Sequence, residues 1–147
     1  ASNGIPMDYE SSNSILLIED DQHHSELIER TLRRACPNDE TEVRHVTDGE
    51  AAVRYLGNQR LTLPKLIILD LKLPKLNGHE VLRFIKSSER LKVIPVVILS
   101  TSLSESDRQT ALKLQANSVL TKSVNFKEFQ NMLGDMVKYW LSWNRGY

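Results

Sequence analysis

Apolar and polar positions alternate in two rhythms along the chain. Short apolar, β-branched stretches fall at Ile15–Ile18, Val43–Val46, Leu66–Leu69, Val96–Leu99 and Ser118–Leu120, and these read as strands. Between them the apolar residues take helical spacing, as with Leu27, Ile28, Leu32 and Ala35, or Val81, Leu82 and Ile85. Strand and helix therefore alternate five times. Four helix starts pair a capping side chain with an acid three residues on: Thr47 with Glu50, Asn77 with Glu80, Ser104 with Asp107, and Asn125 with Glu128. Strands that are apolar throughout belong in a parallel sheet covered by helices on both faces, so the predicted class is a doubly wound α/β sandwich.

The last helix stands apart. From Asn125 it runs to about Trp143, with Phe126, Phe129, Leu133, Met136, Val137 and Trp140 on one face. Trp140, Leu141 and Trp143 lie beyond what a five-stranded sheet needs to cover. They either wrap the core or form an apolar patch for self-association, and a homodimer through this region is the favoured expectation. Residues 1–13 are small, polar and without period; they are expected to be a disordered leader, and Ala1-Ser2-Asn3-Gly4 ahead of Met7 reads as a cloning remnant. The expected fold is then a single domain over 14–147.

Composition narrows the function. The 147 residues suit one domain, and 19 basic against 19 acidic residues leave no net field to draw nucleic acid or anionic lipid. Cys36 is the only cysteine and cannot close an internal disulfide, which suits a reducing compartment. Apolar runs such as Val96-Val97-Ile98-Leu99 are far too short to span a membrane, and no signal-peptide layout opens the chain. The expected location is the cytoplasm.

Candidate chemistry gathers at strand ends. Ligands of a parallel sheet bind at the carboxyl ends of its strands, where the strand order reverses. The first strand runs into Glu19-Asp20-Asp21 and the third ends in Asp70. Carboxylates so crowded repel one another unless a hard divalent cation such as Mg²⁺ sits among them. Asp21 is better read as the N-cap of the first helix. The fourth strand ends in Ser100-Thr101-Ser102 and the fifth in Thr121-Lys122-Ser123. Acid, acid, hydroxyl and ammonium leaving four strands at one rim describe a phosphoryl site: acids for the metal, a carboxylate nucleophile, and Ser100 and Lys122 to neutralise the equatorial oxygens. His23, His24, His45 and His79 show no metal-ligand spacing and read as ordinary residues, and Arg33-Arg34 as a solvated helix end.

At these residues the chain resembles the receiver domains of two-component response regulators. The motifs are Leu16-Leu17-Ile18-Glu19-Asp20-Asp21, Leu69-Asp70-Leu71-Lys72-Leu73-Pro74 running to Asn77-Gly78, Pro95-Val96-Val97-Ile98-Leu99-Ser100, and Thr121-Lys122, in the family's order and spacing across about residues 14 to 143. The resemblance implies a flavodoxin-like receiver fold of strand order 2-1-3-4-5. It implies that Asp70 is the phosphoacceptor, that Glu19, Asp20, Asp70 and the backbone carbonyl of Lys72 hold Mg²⁺, and that Ser100 and Lys122 contact the phosphoryl group. Such a domain is no enzyme in the usual sense, although it assists its own phosphorylation and dephosphorylation. Leu73-Pro74-Lys75, Leu99-Ser100-Thr101-Ser102, Leu120-Thr121-Lys122-Ser123 and Tyr139-Trp140-Leu141 are most similar to the cyanobacterial phytochrome response regulators. The implied partner is a sensor histidine kinase, with a phytochrome as the candidate.

Two positions depart from the family. Ser123 stands where most receivers place a cis proline, and a cis bond before serine would cost about 3–4 kcal/mol. Val119 stands where an aromatic ring commonly swings inward, so output is expected to run through the loops after strands three and four. Among rivals, a phosphohydrolase with an aspartyl nucleophile wants an acid two residues after it, where this chain has Lys72. A flavodoxin-like cofactor site wants a phosphate-binding loop after the first strand, where this chain has acids. A receiver-like scaffold that is never phosphorylated is the nearest competitor.

Overall fold

A computed structural model describes residues 14–36, 41–100, 105–122 and 125–144. Five strands, β1 (Ser14–Ile18), β2 (Glu42–Val46), β3 (Leu66–Asp70), β4 (Val96–Ser100) and β5 (Ser118–Thr121), alternate with helices α1 (Gln22–Ala35), α2 (Gly49–Gly57), α3 (Gly78–Ser87), α4 (Glu105–Lys113) and α5 (Phe126–Asn144). Every strand pairing is parallel and the order is β2-β1-β3-β4-β5, as the sequence implied.

Successive strand residues point to opposite faces, and both faces are apolar. Leu16, Ile18, Ile67, Leu69, Val96 and Ile98 pack with Ala52 and Leu56 of α2, Val81, Leu82 and Ile85 of α3, and Ala111 of α4. On the other side Ile15, Leu17, Ile68, Val97 and Leu99 pack with Ile28 and Leu32 of α1 and Phe129, Leu133 and Val137 of α5. β1, β3 and β4 are buried almost throughout, whereas β2 at the edge exposes Glu42 and Arg44, which pair with each other.

Helix starts follow the capping pattern with one correction. Asn77 accepts from the Glu80 amide at 3.0 Å and Asn125 from the Glu128 amide at 3.1 Å. Asp21 caps α1 through the His24 amide at 2.9 Å, as read. The cap of α2 is Asp48 instead of Thr47: its carboxylate accepts from Ala51 at 2.7 Å, a stronger bond than a hydroxyl would give. Ser104, Thr101, Ser102 and the Ser123 peptide lie outside the described residues, as does the leader 1–13. Cys36 is the C-cap of α1, its amide bonded to the Leu32 carbonyl at 3.1 Å.

At the end of α5, Trp140 and Leu141 turn to the core. Leu141 is buried, and Trp140 packs partly on the same cluster while its Nε1–H donates to Ser118 Oγ at 3.0 Å. The exposed aromatic here is Tyr139, 60% accessible and edge-on to Trp140. The Trp143 side chain lies outside the described residues.

Candidate phosphoryl-acceptor site

Parallel register brings the chemistry to one rim. Ile18 aligns with Leu69, Asp70 with Leu99, and Ser100 with Thr121, so Glu19, Asp70, Ser100 and Lys122 all emerge where the strands end. Short main-chain bonds lock the ends together: Glu19 N–H donates to the Val46 carbonyl at 3.1 Å and Lys122 N–H to the Ser100 carbonyl at 2.6 Å.

The loop between β3 and α3 is held by close backbone approach. Gly78 N–H donates to the Leu71 carbonyl at 2.9 Å. A Cβ on Gly78 would lie 2.5 Å from Leu71 Cα and 2.7 Å from the Asp70 carbonyl oxygen, so glycine is required for α3 to start this close behind the acid. Lys75 takes a left-handed φ of 71° at the tip of the same loop. Lys72 N–H donates to Asp70 Oδ1 at 3.2 Å, which fixes one carboxylate oxygen and leaves Oδ2 to face the pocket.

Glu19, Asp70 and Ser100 are buried polar groups, while Asp20 is exposed at the mouth. Lys122 Nζ meets Glu19 Oε1 at 2.6 Å and lies 3.7 Å from Asp70 Oδ2. The second Glu19 oxygen accepts from the Asp21 amide at 3.2 Å. Burial pushes the Glu19 carboxyl up to about 7 although Lys122 pulls it down, and the neighbouring Asp70 charge adds to the rise. Glu19, Asp20 and Asp70 each offer a carboxylate oxygen, all within 4.8 Å of one another. Three hard oxygen donors without nitrogen or sulfur suit Mg²⁺ or Mn²⁺, whose charge offsets the burial and the Asp70 repulsion that raise Glu19.

All four sequence-predicted strand-end groups, Glu19, Asp70, Ser100 and Lys122, thus share the rim, with Asp20 beside them. Two histidines read as ordinary also reach it. His45 Nε2–H donates to the Glu19 carbonyl at 2.7 Å, and Lys122 Nζ donates to His24 Nδ1 at 3.2 Å. No spacing rule could reveal either, because each contact spans more than twenty residues of chain.

Residues 15–134 match the model of the response regulator receiver domain. The probable methanogenesis regulatory protein FilR2 of Methanothrix harundinacea is 44% identical over 135 residues, covering 89% of this chain and 85% of its own. Response regulator Rcp1 of Synechocystis is 40% identical over 131 residues, covering 86% and 88%. Its Mn²⁺-bound crystal structure superposes with a TM-score of 0.79 at 39% identity, covering 88% of this chain and 94% of that one. The phosphorylated cyanobacterial phytochrome response regulator RcpA gives 0.78 at 38% identity, covering 90% and 96%. With the sheet order, the rim of acids and the site lysine in place, the chain belongs to the response regulator receiver domain family.

Proposed function

We propose that Asp70 accepts a phosphoryl group from a phosphohistidine of a sensor histidine kinase, and that the resulting change at the α4–β5–α5 face carries the signal onward. The observation that carries this reading is the buried triangle of Glu19, Asp70 and Lys122, with Lys122 Nζ 2.6 Å from one acid and 3.7 Å from the other. Asp70 Oδ2 attacks phosphorus in line; the new P–O bond forms as the P–N bond breaks, and the leaving imidazole nitrogen takes a proton from solvent. Glu19, Asp20, Asp70 and the Lys72 carbonyl hold Mg²⁺, which supplies positive charge to the transferred oxygens. Ser100 and Lys122 take the remaining oxygens, and water later hydrolyses the acyl phosphate. The added charge, roughly −1.5 to −2, draws the hydroxyl and ammonium inward. Val119, packed against the α2–α3–α4 core cluster, offers no ring to swing, so the loops that follow β3 and β4 transmit the change.

The likeness to RcpA, a cyanobacterial phytochrome response regulator, supports a phytochrome as the kinase. The proposed site of action is the cytoplasm; among the described residues no helix is long and apolar enough to cross a membrane. Exposed Tyr139 and Met132, seven residues apart on α5, support a homodimer through that helix.

Incubation with acetyl phosphate and Mg²⁺ followed by intact-mass measurement tests the acceptor. Wild type is expected to gain one phosphoryl group and Asp70→Asn none; equal gain, or none in either, ends the reading. Sedimentation before and after phosphorylation tests the dimer, which a monomer throughout the micromolar range would exclude.

A further inference from the structure

We propose that His24 is a positioning residue for the site lysine, its Nδ1 accepting from Lys122 Nζ so that the ammonium stays beside Asp70. This rests on the reading of Asp70 as the phosphoacceptor.

An ammonium has three protons and no lone pair, so wherever it meets an imidazole nitrogen that nitrogen must be the acceptor. Lys122 gives one proton to Glu19 Oε1 at 2.6 Å and another to His24 Nδ1 at 3.2 Å, which leaves the third on the side of Asp70 Oδ2, 3.7 Å away. The lysine side chain is 7% exposed and the imidazole 33%, so the ring lies on the solvent side and backs the ammonium. The ring is itself placed by the helix start: Asp21 Oδ1 accepts from the His24 amide at 2.9 Å, fixing the residue in the first turn of α1. If a cation claims the Glu19 carboxylate, His24 Nδ1, which also lies 3.9 Å from Asp21 Oδ2, is the one acceptor among the lysine's three partners named here that is not a carboxylate oxygen. It orients the ammonium without competing for the phosphoryl charge, and it blocks the path by which a long flexible side chain would leave for water.

Three substitutions separate this from a packing role. Asparagine puts Oδ1 close to where Nδ1 stands, glutamine puts its oxygen nearer the Nε2 position, and leucine fills space without an acceptor. With saturating acetyl phosphate and Mg²⁺, His24→Leu and His24→Gln are expected to gain mass about tenfold more slowly than wild type, the loss of one charge-assisted hydrogen bond. His24→Asn is expected to stay within about twofold of wild type on the same reckoning. Equal rates in all four proteins, equal slowing in all three variants, or acceleration by leucine would each overturn the proposal. Independently of phosphorylation, long-range ¹H–¹⁵N spectra of the metal-free protein should show His24 as the Nε2–H tautomer, with an Nδ1 resonance that moves in Lys122→Met; an unmoved resonance also overturns it. Should wild type gain no mass, the acceptor reading fails and the ring spectra alone decide the contact.

Discussion

Lys122 touches Glu19 at 2.6 Å but stops 3.7 Å short of Asp70, so the ammonium spends its closest contact on an acid other than the proposed nucleophile. Asp70 Oδ2 meets the ammonium only at this longer distance. Replacing Lys122 by methionine keeps the volume of the stem and removes the charge. The protein should lose about 2 kcal/mol of stability at pH 8, less than a fully buried ion pair usually loses, because Glu19 can take up a proton instead. Urea unfolding at pH 8 and pH 5 checks this, with the smaller loss expected at pH 5, and the rate of mass gain from acetyl phosphate should fall at least about tenfold.

The Glu19 carboxyl titrates near 7 in the folded chain against 4.5 in a free side chain, raised by burial and by Asp70. Between those values the folded protein holds a proton that the unfolded chain has released. This contribution to stability is complete below about pH 4.5 and is lost as pH rises through about 7. In EDTA, the melting temperature of wild type relative to Glu19→Gln should therefore fall as the pH is raised from 5 to 7. Mg²⁺ reverses the trend, since metal must displace that proton: affinity should rise with pH up to about 7, with proton release visible by calorimetry in two buffers of different ionisation enthalpy.

Gly78 allows α3 to begin against the peptide that follows Asp70, the proposed phosphoacceptor. A methyl group there would press on Leu71 Cα at 2.5 Å and on the Asp70 carbonyl at 2.7 Å, both backbone atoms that cannot rotate away. Gly78→Ala should cost about 3 kcal/mol in urea unfolding and weaken Mg²⁺ binding together with it, because the same shift displaces Asp70. Gly57→Ala is the control: the added carbon would meet only Phe84 at 3.8 Å, and metal affinity should be unchanged.

Trp140 bonds Ser118 and leans on the core, so its ring fastens α5 to β5. Trp140→Phe should lower stability by about 1 kcal/mol, the worth of one part-buried hydrogen bond, without altering the sedimentation coefficient. Tyr139→Ala reverses the pattern, leaving stability within about 0.5 kcal/mol and weakening any self-association, since that ring is exposed.

The sequence by itself determined the alternation of elements, the class of sheet and the rim chemistry, because those depend on local period and on which residue follows each strand. Apolar runs such as Leu66-Ile67-Ile68-Leu69 have to be covered on both faces, and parallel strands so covered deliver Glu19, Asp70, Ser100 and Lys122 to one edge whatever the detailed packing. Tertiary structure alone decided what depends on distance through space. It turned Trp140 and Leu141 inward and left Tyr139 outside, chose Asp48 over Thr47 as a cap, and brought His45 and His24 to the site. It also set which acid holds the lysine: about one ångström of side-chain reach separates the hydrogen bond to Glu19 from the looser ion pair with Asp70, and only the packed strands and the first turn of α1 fix atoms to that tolerance.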